Sequence, residues 1–195
     1  MNNFTGQRGK IIIISAPSGA GKTTVCNAIV KNNKNIVRSI SYTTRPPRKC
    51  ERNAREYFFI NESDFEKMIK KNKFIEWAKV HGNYYGTSKD FLKSVLKTDK
   101  KIILGIDVQG GINIKKRYPN SCMIFVMTPN LKILKERLTM RGNNSENEIK
   151  IRLKNAREEL KQIVQYEYLI INRDLDTAVN EIEIVIKSLA YKINN

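Results

Sequence analysis

The chain contains 195 residues, of which 41% are hydrophobic, and its formal net charge is +17 at pH 7. This length favours one compact domain with insertions and argues against two independent domains. The positive charge would suit a nucleic acid, but the lysines are spread along predicted helices such as residues 67–71 and 93–97, which is typical of a solvated face, so we expect no specific nucleic-acid partner.

The start of the chain carries no targeting signal that we recognise. Residues 1–9 lack the apolar core and the cleavage site of a secretory signal, and no apolar run in the sequence reaches membrane-spanning length. The three cysteines are widely separated and form no CxxC pair, which favours reduced thiols over disulfides or a zinc site. We therefore expect a cytoplasmic protein without a membrane partner.

The first predicted elements are a strand and a helix joined by a glycine-rich turn. Residues 10–14 are β-branched and apolar, as in a strand buried on both faces of a parallel sheet, and residues 23–31 have helical spacing. Further strands are predicted at 101–106, 122–127 and 168–171, and a last helix at 175–193. The pattern predicts an α/β fold in which helices wrap a central parallel sheet.

The turn between the first strand and helix nearly matches the phosphate-binding loop GxxxxGK[ST]. Residues 15–23 read SAPSGAGKT, with Ala16 where the motif has its first glycine. An ordinary backbone conformation at Ala16 would tolerate this change. Lys22 would contact the β and γ phosphates of ATP, and the Thr23 hydroxyl would bind Mg²⁺. The predicted ATP-binding residues of this segment are Ala16, Pro17, Ser18, Gly19, Ala20, Gly21, Lys22, Thr23 and Thr24.

Two segments interrupt the alternation of strands and helices. Residues 41–96 contain short strand candidates at 57–60 and 74–78 and a helix candidate at 63–71, with polar residues able to face a ligand. We place Phe74 and Trp77 of this segment in the core. Residues 137–157 contain a break before Ser145, which with Glu148 is placed as the capping box of a second helix. This second segment is typical of a hinged lid.

The first of these segments also carries a family signature. Residues 41–48 read SYTTRPPR and are followed by Glu51, Ala54 and an aromatic run at 57–59. This pattern resembles the guanylate kinase signature, whose usual glycine is Ala54 here. The resemblance continues in family order through residues 74–77, 82–87 and 106–110 and covers nearly the whole chain.

The resemblance implies a fold, an activity and a division of the chain. The fold is that of a P-loop kinase, with core residues 1–40, 97–136 and 158–195, a GMP-binding region at 41–96 and a lid at 137–157. The activity is phosphoryl transfer from ATP to GMP, and also to dGMP, giving ADP and the nucleoside diphosphate in purine metabolism. The enzyme would act as a monomer or a homodimer.

The resemblance also assigns site residues. Those that bind the GMP phosphate are Ser41, Arg45, Arg48, Tyr57 and Tyr85, and those that read guanine are Glu76, Thr87 and Asp107. Those that assist transfer are Lys22, Arg45, Arg137, Arg141 and Arg152, and Asn172 flanks the ATP. Guanidinium and phenol groups suit a phosphate dianion. A buried carboxylate can accept hydrogen bonds from guanine N1–H and the 2-amino group, whereas adenine offers neither donor.

Some observations leave alternatives open. Gly105 stands where many relatives carry an acidic residue, and Arg173 where an aspartate is common. Without the resemblance, the pattern would place Glu76 on the exposed side of a strand. It would likewise indicate that Tyr57 and Tyr85 serve packing and not ligand binding. His81 is read as a loop residue and not as a base. The alternatives to a guanylate kinase are a related domain that binds phosphorylated protein segments, a kinase for another monophosphate, and a nucleic-acid-binding protein.

Overall fold

The computed structural model describes residues 10–48, 51–80, 82–140 and 145–189. Its strands are β1 (Ile11–Ser15), β2 (Ile36–Arg38), β3 (Tyr42–Thr43), β4 (Phe58–Phe59), β5 (Phe74–Val80), β6 (Asn83–Ser88), β7 (Lys101–Gly105), β8 (Cys122–Met127) and β9 (Tyr168–Ile171). Its helices are α1 (Lys22–Asn32), α2 (Glu62–Lys70), α3 (Lys89–Leu96), α4 (Val108–Arg117), α5 (Leu131–Met140), α6 (Glu146–Leu160) and α7 (Leu175–Ser188), with a short 3₁₀ turn at Ile163–Gln165.

A five-stranded parallel sheet with the order β2-β7-β1-β8-β9 forms the centre. Every residue of β1 is buried, because side chains alternate between the faces of a strand and helices cover both faces. Ile12 and Ile14 join the apolar cluster that includes α1 and α7, while Ile11 and Ile13 join the cluster that includes α3 and α4. Each isoleucine so buried contributes roughly 2 kcal/mol of apolar burial. The predicted α/β fold with a parallel central sheet is confirmed.

A second sheet, with the order β4-β3-β6-β5, is formed within residues 42–88. Helix α2 covers one of its faces through Phe65, whose ring stacks on Phe74 and on Tyr84. Gly86 of β6 permits this packing, since a Cβ there would lie 2.8 Å from the Phe74 ring. Helix α3 then returns the chain to the first sheet, where Leu92 is fully buried against it.

The register of the second sheet contains one irregularity that matters for the site. Phe74 pairs with Ser88, but Glu76 pairs with Thr87, so Ile75 is an extra residue on β5. A bulge of this kind re-aims the side chains on either side of it. Phe74, Ile75 and Glu76 are consequently buried in succession, each against different surroundings.

The local sequence predictions, for a buried side chain, a helix cap and the last helix, have different outcomes. Trp77 was expected in the core, but it is 43% exposed, because it lies on β5, an edge strand of the second sheet, with its ring beside that of Tyr84. The capping box of Ser145 and Glu148 is confirmed. The last helix ends at Ser188, and the remaining residues predicted for it, 190–193, lie outside the described part of the chain, as does His81. Among the described residues, no helix is long and apolar enough to cross a membrane.

Candidate active site

A cavity of about 730 Å³ lies beyond the carboxyl ends of β1 and β7, facing the second sheet. Ligands of open α/β sheets bind at this edge. The core contributes to its lining Ala16, Pro17, Ser18, Gly19, Gly21, Lys22, Thr23, Gly105, Ile106 and Asp107. The second sheet and the segments joined to it contribute Ser41, Arg45, Arg48, Tyr57, Glu76, Val80, Asn83, Tyr85 and Gly86. Residues predicted to bind both nucleotides therefore share one cavity.

The phosphate-binding loop has the backbone that its glycines predict. Gly19 and Gly21 have φ values of 103° and 95°, in the left-handed region that favours glycine. Among the described residues, only Ala54 and Asn72 combine a side chain with positive φ, so Ala16 has an ordinary conformation. This geometry directs successive N–H groups towards one point at the start of α1, which is suited to an anion.

Asn172 fixes this loop from behind. Its buried side-chain amide donates a hydrogen bond of 2.7 Å to the carbonyl of Ala20, and a Cβ on Gly21 would lie 2.5 Å from the same nitrogen. Neither Asn172 nor the fully buried Ala20 lines the cavity, and Thr24 faces solvent. These three residues, which we expected to bind ATP, are placed where they shape the loop or lie beside it.

A magnesium ion carried by ATP fits this site. Among the described residues, no group of three or more His, Cys, Asp or Glu side chains could hold a metal ion. Mg²⁺ usually keeps several waters and is bound by substrate phosphates with only one or two protein oxygens. Thr23 lines the cavity at the first turn of α1 and can supply one such oxygen.

The five residues predicted to bind the GMP phosphate all line the cavity: Ser41, Arg45, Arg48, Tyr57 and Tyr85. Arg45 forms an ion pair of 2.8 Å with Glu51, which also accepts the N–H of Arg48. Burial acts against ionisation of Glu51, but these hydrogen bonds outweigh it and hold the pKa of Glu51 below its ordinary value. Burial and the charge of Arg45 lower the pKa of Arg48. Two guanidinium groups with a single carboxylate between them leave room for a further anion.

The residues predicted to read guanine lie at the other side of the cavity. Glu76 is 7% exposed and accepts a hydrogen bond from the Thr87 hydroxyl, which is itself fully buried and does not line the cavity. Burial raises the pKa of Glu76 to about 7, against the effect of this hydrogen bond. Asp107 caps α4 by accepting the N–H of Gly110. Gly110 was not predicted, although it lets Glu76 approach the helix: a Cβ there would lie 2.7 Å from Glu76 Oε2.

The three predicted lid arginines have different surroundings. Arg152 of α6 lines the cavity and donates a hydrogen bond of 2.8 Å to the Ser18 hydroxyl, which connects α6 to the phosphate-binding loop. Arg137 of α5 donates to the carbonyls of Asn172 and Arg173 and does not line the cavity. Arg141 lies outside the described residues.

Glu159 is an ionisable residue of the cavity that the sequence analysis did not identify. Glu159, in the last turn of α6, has a buried Oε2 atom for which no partner is found among the described residues. Burial raises its pKa to about 7; the charge of Lys22 acts in the opposite direction, and that of Asp107 adds to the increase. In the sequence Glu159 follows another glutamate on a charged helix, where the pattern indicates only a solvated face.

The two departures from the family pattern lie in different places. A Cβ on Gly105 would lie 3.3 Å from Cys26 Sγ and 3.9 Å from Lys22 Cγ, so any side chain there would press on the first turns of α1. Arg173 is exposed in the turn between β9 and α7, and its carbonyl accepts from Arg137. Gly105 therefore bears on the position of Lys22, whereas the Arg173 side chain does not line the cavity.

Comparison with known proteins gives consistent results. A family model described as guanylate kinase matches residues 8–189. The guanylate kinase of Carboxydothermus hydrogenoformans is 45% identical over 185 residues, covering 95% of this chain and 91% of its own length. That of Caldanaerobacter subterraneus subsp. tengcongensis is 43% identical over 180 residues, covering 92% and 87%. The crystal structure of guanylate kinase from Anaplasma phagocytophilum matches with a TM-score of 0.80 at 30% identity, covering 95% of this chain and 88% of that one.

Proposed function

This chain belongs to the guanylate kinase family and transfers a phosphoryl group from ATP to GMP, and from that premise we propose how its residues divide the task. The observation that supports the proposal is the single cavity lined by the phosphate-binding loop and by the cluster of Arg45, Arg48, Tyr57 and Tyr85. Transfer in one cavity needs the two phosphates side by side, which this lining allows.

The phosphate-binding loop binds the donor. N–H groups of the loop and the ammonium of Lys22 receive the β and γ phosphates, and Thr23 holds Mg²⁺. When bound, Mg²⁺ neutralises negative charge on the phosphates. Arg152 already reaches the loop through Ser18 and can exchange that hydroxyl for a phosphate oxygen, because both accept hydrogen bonds. Arg137 is proposed to assist transfer indirectly, by holding the turn after β9 that contains Asn172 and Arg173. Arg141 is proposed as a lid residue because of the resemblance to the family.

The reaction asks little covalent chemistry of the protein. An oxygen of the GMP phosphate attacks the γ-phosphorus of ATP, the bond to the β,γ-bridging oxygen breaks, and ADP leaves with the electron pair. The nucleophile is already ionised, so no general base is needed. Lys22, Arg45 and Arg152 contribute by aligning the two phosphates and offsetting their mutual repulsion.

Selection of guanine is assigned to Glu76, Thr87 and Asp107. Thr87 donates to Glu76 Oε1, which leaves Oε2 for the N1–H and 2-amino donors of guanine. Adenine has an acceptor at N1 and would leave the buried carboxylate without a partner, which disfavours AMP strongly. Because guanine supplies the donors that the buried carboxylate needs, this arrangement favours GMP over other monophosphates as acceptor.

The finer assignments are proposals as well. We propose that dGMP is also accepted, that the protein is cytoplasmic with no membrane or specific nucleic-acid partner, and that it is a monomer or homodimer. The thiol of Cys26 is buried and forms no disulfide, which suits a reducing compartment. We also propose residues 41–96 as the GMP-binding region and 137–157 as the lid; the second sheet lies within the former, although α3 packs on the core. The relatives described above are named as the enzyme, which favours catalysis over the binding-module alternative.

ADP formation from Mg-ATP should be measured with GMP, dGMP, AMP, CMP and UMP as acceptors, using the wild type and the Lys22→Ala variant. We expect turnover with GMP and dGMP that is lost in the variant. Turnover with AMP equal to that with GMP would contradict the assignment of guanine selection, and turnover retained by Lys22→Ala would contradict the role of the loop. In Glu76→Gln, we expect a severe loss with GMP.

A further inference from the structure

Two of the residues proposed to bind GMP, Glu76 and Tyr57, directly follow irregular points of the backbone in the region of the second sheet. One is the bulge at Ile75, immediately before Glu76. The other is the turn at residues 54–56, immediately before Tyr57, in which Ala54 has a φ of 61°. Carbonyl groups at such points are not paired by a regular strand ladder and need donors from elsewhere.

At both points an arginine of the core supplies the donor. Arg117, the last residue of α4, donates a hydrogen bond of 2.6 Å to the Ile75 carbonyl. Arg38, the last residue of β2, donates to the carbonyls of Glu56 at 2.9 Å and Arg55 at 3.3 Å. The same Arg38 guanidinium donates to Asn27 of α1 at 2.8 Å, so it joins the helix of the phosphate-binding loop to the turn before Tyr57.

The position of these carbonyls gives the contacts a direct effect on the site. A peptide group is planar, so the carbonyl of one residue and the N–H of the next turn together. Fixing the Ile75 carbonyl fixes the peptide plane from which Glu76 begins, and fixing the Glu56 carbonyl does the same for Tyr57. Both arginines hold the backbone next to a cavity residue without lining the cavity themselves.

We infer that Arg117 and Arg38 are two separate positioning residues, Arg117 for recognition of the guanine base and Arg38 for binding of the GMP phosphate. This inference rests on the proposed roles of Glu76 and Tyr57. Arg117 is the last residue of α4, and Asp107 is the N-cap of the same helix. Glu76 packs closely against Gly110 of this helix, so α4 helps to position the carboxylates of both Asp107 and Glu76. Arg38 is bonded to α1 and to the turn, so it holds the turn before Tyr57 in place on the core.

The two roles predict different kinetic results, a change of acceptor selectivity for Arg117 and a change of acceptor KM for Arg38. In Arg117→Met, kcat/KM for GMP relative to inosine monophosphate, which lacks the 2-amino group, should fall about tenfold, since small displacements at a site have effects of this size. In Arg38→Met, KM for both acceptors should rise about tenfold. The ratio of kcat/KM for GMP to that for inosine monophosphate, and the KM for ATP, should stay as in the wild type. A structural role alone would change stability and would not separate selectivity from KM.

Each arginine variant is the control for the other, and Lys10→Met is a third control. Lys10 donates to the Thr98 carbonyl at 2.9 Å and does not line the cavity, so in Lys10→Met neither the acceptor selectivity nor the acceptor KM should change. Arg117→Lys should restore selectivity because one donor is enough there, whereas Arg38→Lys should restore only part of the affinity because three acceptors share Arg38. If a methionine variant does not fold, the glutamine variant at the same position has the same expected result.

The inference is overturned if folded Arg117→Met keeps the wild-type ratio of kcat/KM for GMP to that for inosine monophosphate, or if folded Arg38→Met changes that ratio and not KM. Failure of the proposed function would be recognised separately. In that case the wild type itself would not distinguish GMP from inosine monophosphate, or Glu76→Gln would retain the wild-type preference.

Discussion

Ala54 occupies a backbone position that normally belongs to glycine. Its φ of 61° lies in the left-handed region, and the turn that contains it precedes Tyr57 of the phosphate cluster. A side chain in this region costs roughly 1–2 kcal/mol, while glycine pays more conformational entropy on folding. The family signature has glycine at this position, so the substitution exchanges one of these costs for the other.

We expect Ala54→Gly to raise the free energy of unfolding by about 1 kcal/mol, because relief of strain exceeds the added entropy of the unfolded chain. Urea-induced unfolding would measure it. Asn72, with a φ of 51°, is the matched control, since asparagine tolerates this region and Asn72→Gly should change stability much less. Equal gains at the two positions would mean that strain at Ala54 is not the cause.

Glu76 links guanine recognition to stability. Its pKa is about 7 in the folded protein, compared with 4.5 as the ordinary value. The folded state therefore keeps the proton to higher pH than the unfolded state, and the free energy of unfolding falls as pH rises from 4.5 to about 7. Above that range the folded protein must hold an ionised carboxylate out of water, which is unfavourable unless donors such as those of guanine pair with it.

We expect Glu76→Gln to be more stable than the wild type, by an amount that grows between about pH 5 and about pH 8 and reaches about 3 kcal/mol. Unfolding by urea at a series of pH values would measure the difference. The exposed Glu66→Gln serves as control for loss of one charge. A difference that does not change with pH would show that Glu76 titrates normally.

At the scale of elements, helix α6 connects the two parts of the site. Its first half places Glu148, Ile151 and Arg152 at the cavity, while Ile149 and Ala156 pack into the core. The helix begins with a capping box in which Ser145 accepts the N–H of Glu148, and Glu148 accepts the N–H of Ser145. The position of Arg152 therefore depends on a well-formed first turn.

We expect Ser145→Ala to lower the free energy of unfolding by about 1 kcal/mol, the usual cost of a lost cap. Ser145→Asp should remain close to the wild type, because aspartate also caps and suits the positive end of the helix. Chemical denaturation of the three proteins would measure both effects. If alanine and aspartate are equally destabilising, the contribution comes from the hydroxyl packing and not from the cap.

Sequence patterns were sufficient where a strand was a continuous apolar run. The strands β8 and β9 have the predicted ends, and β1 is shifted by one residue, because apolar runs without polar interruption suit a parallel sheet. The strands β3 and β4 have only two residues each, too few to show a period, so the second sheet could not be derived. That β5 is an edge strand of this sheet could not be derived either, which is why the burial of Trp77 was predicted wrongly.

The candidate site divides in the same way. The phosphate-binding loop could be found from local spacing, because its residues act together within nine positions. Gly110, Arg117 and Glu159 could not, since each acts on a residue far away in the chain that only the fold brings near. Asn172 was assigned to ATP from its place in the family, but its amide is directed at the loop backbone.

At the scale of the whole molecule, the net charge of +17 should help to attract nucleotides. Dispersed lysines raise the potential around a cavity that already contains Lys22, Arg45 and Arg48. We expect kcat/KM for GMP to fall about tenfold between about 20 mM and about 500 mM salt, with a smaller change in kcat, because screening weakens attraction over distance. Steady-state kinetics would test this, with sucrose as a control for viscosity. No dependence on salt would mean that the distant charges are irrelevant to substrate capture.

The hydrogen bond from Asn172 to Ala20 has a consequence for how the protein is made. It joins residues 152 positions apart, and β1 itself lies between β7 and β8, whose residues paired with β1 follow their partners by 91 positions or more. During synthesis, the loop that will hold ATP leaves the ribosome early but has neither neighbouring strand nor the amide that shapes it. Nucleotide is therefore not expected to act as a template for the early chain, and a fully shaped ATP loop marks a polypeptide that has been translated at least as far as Asn172.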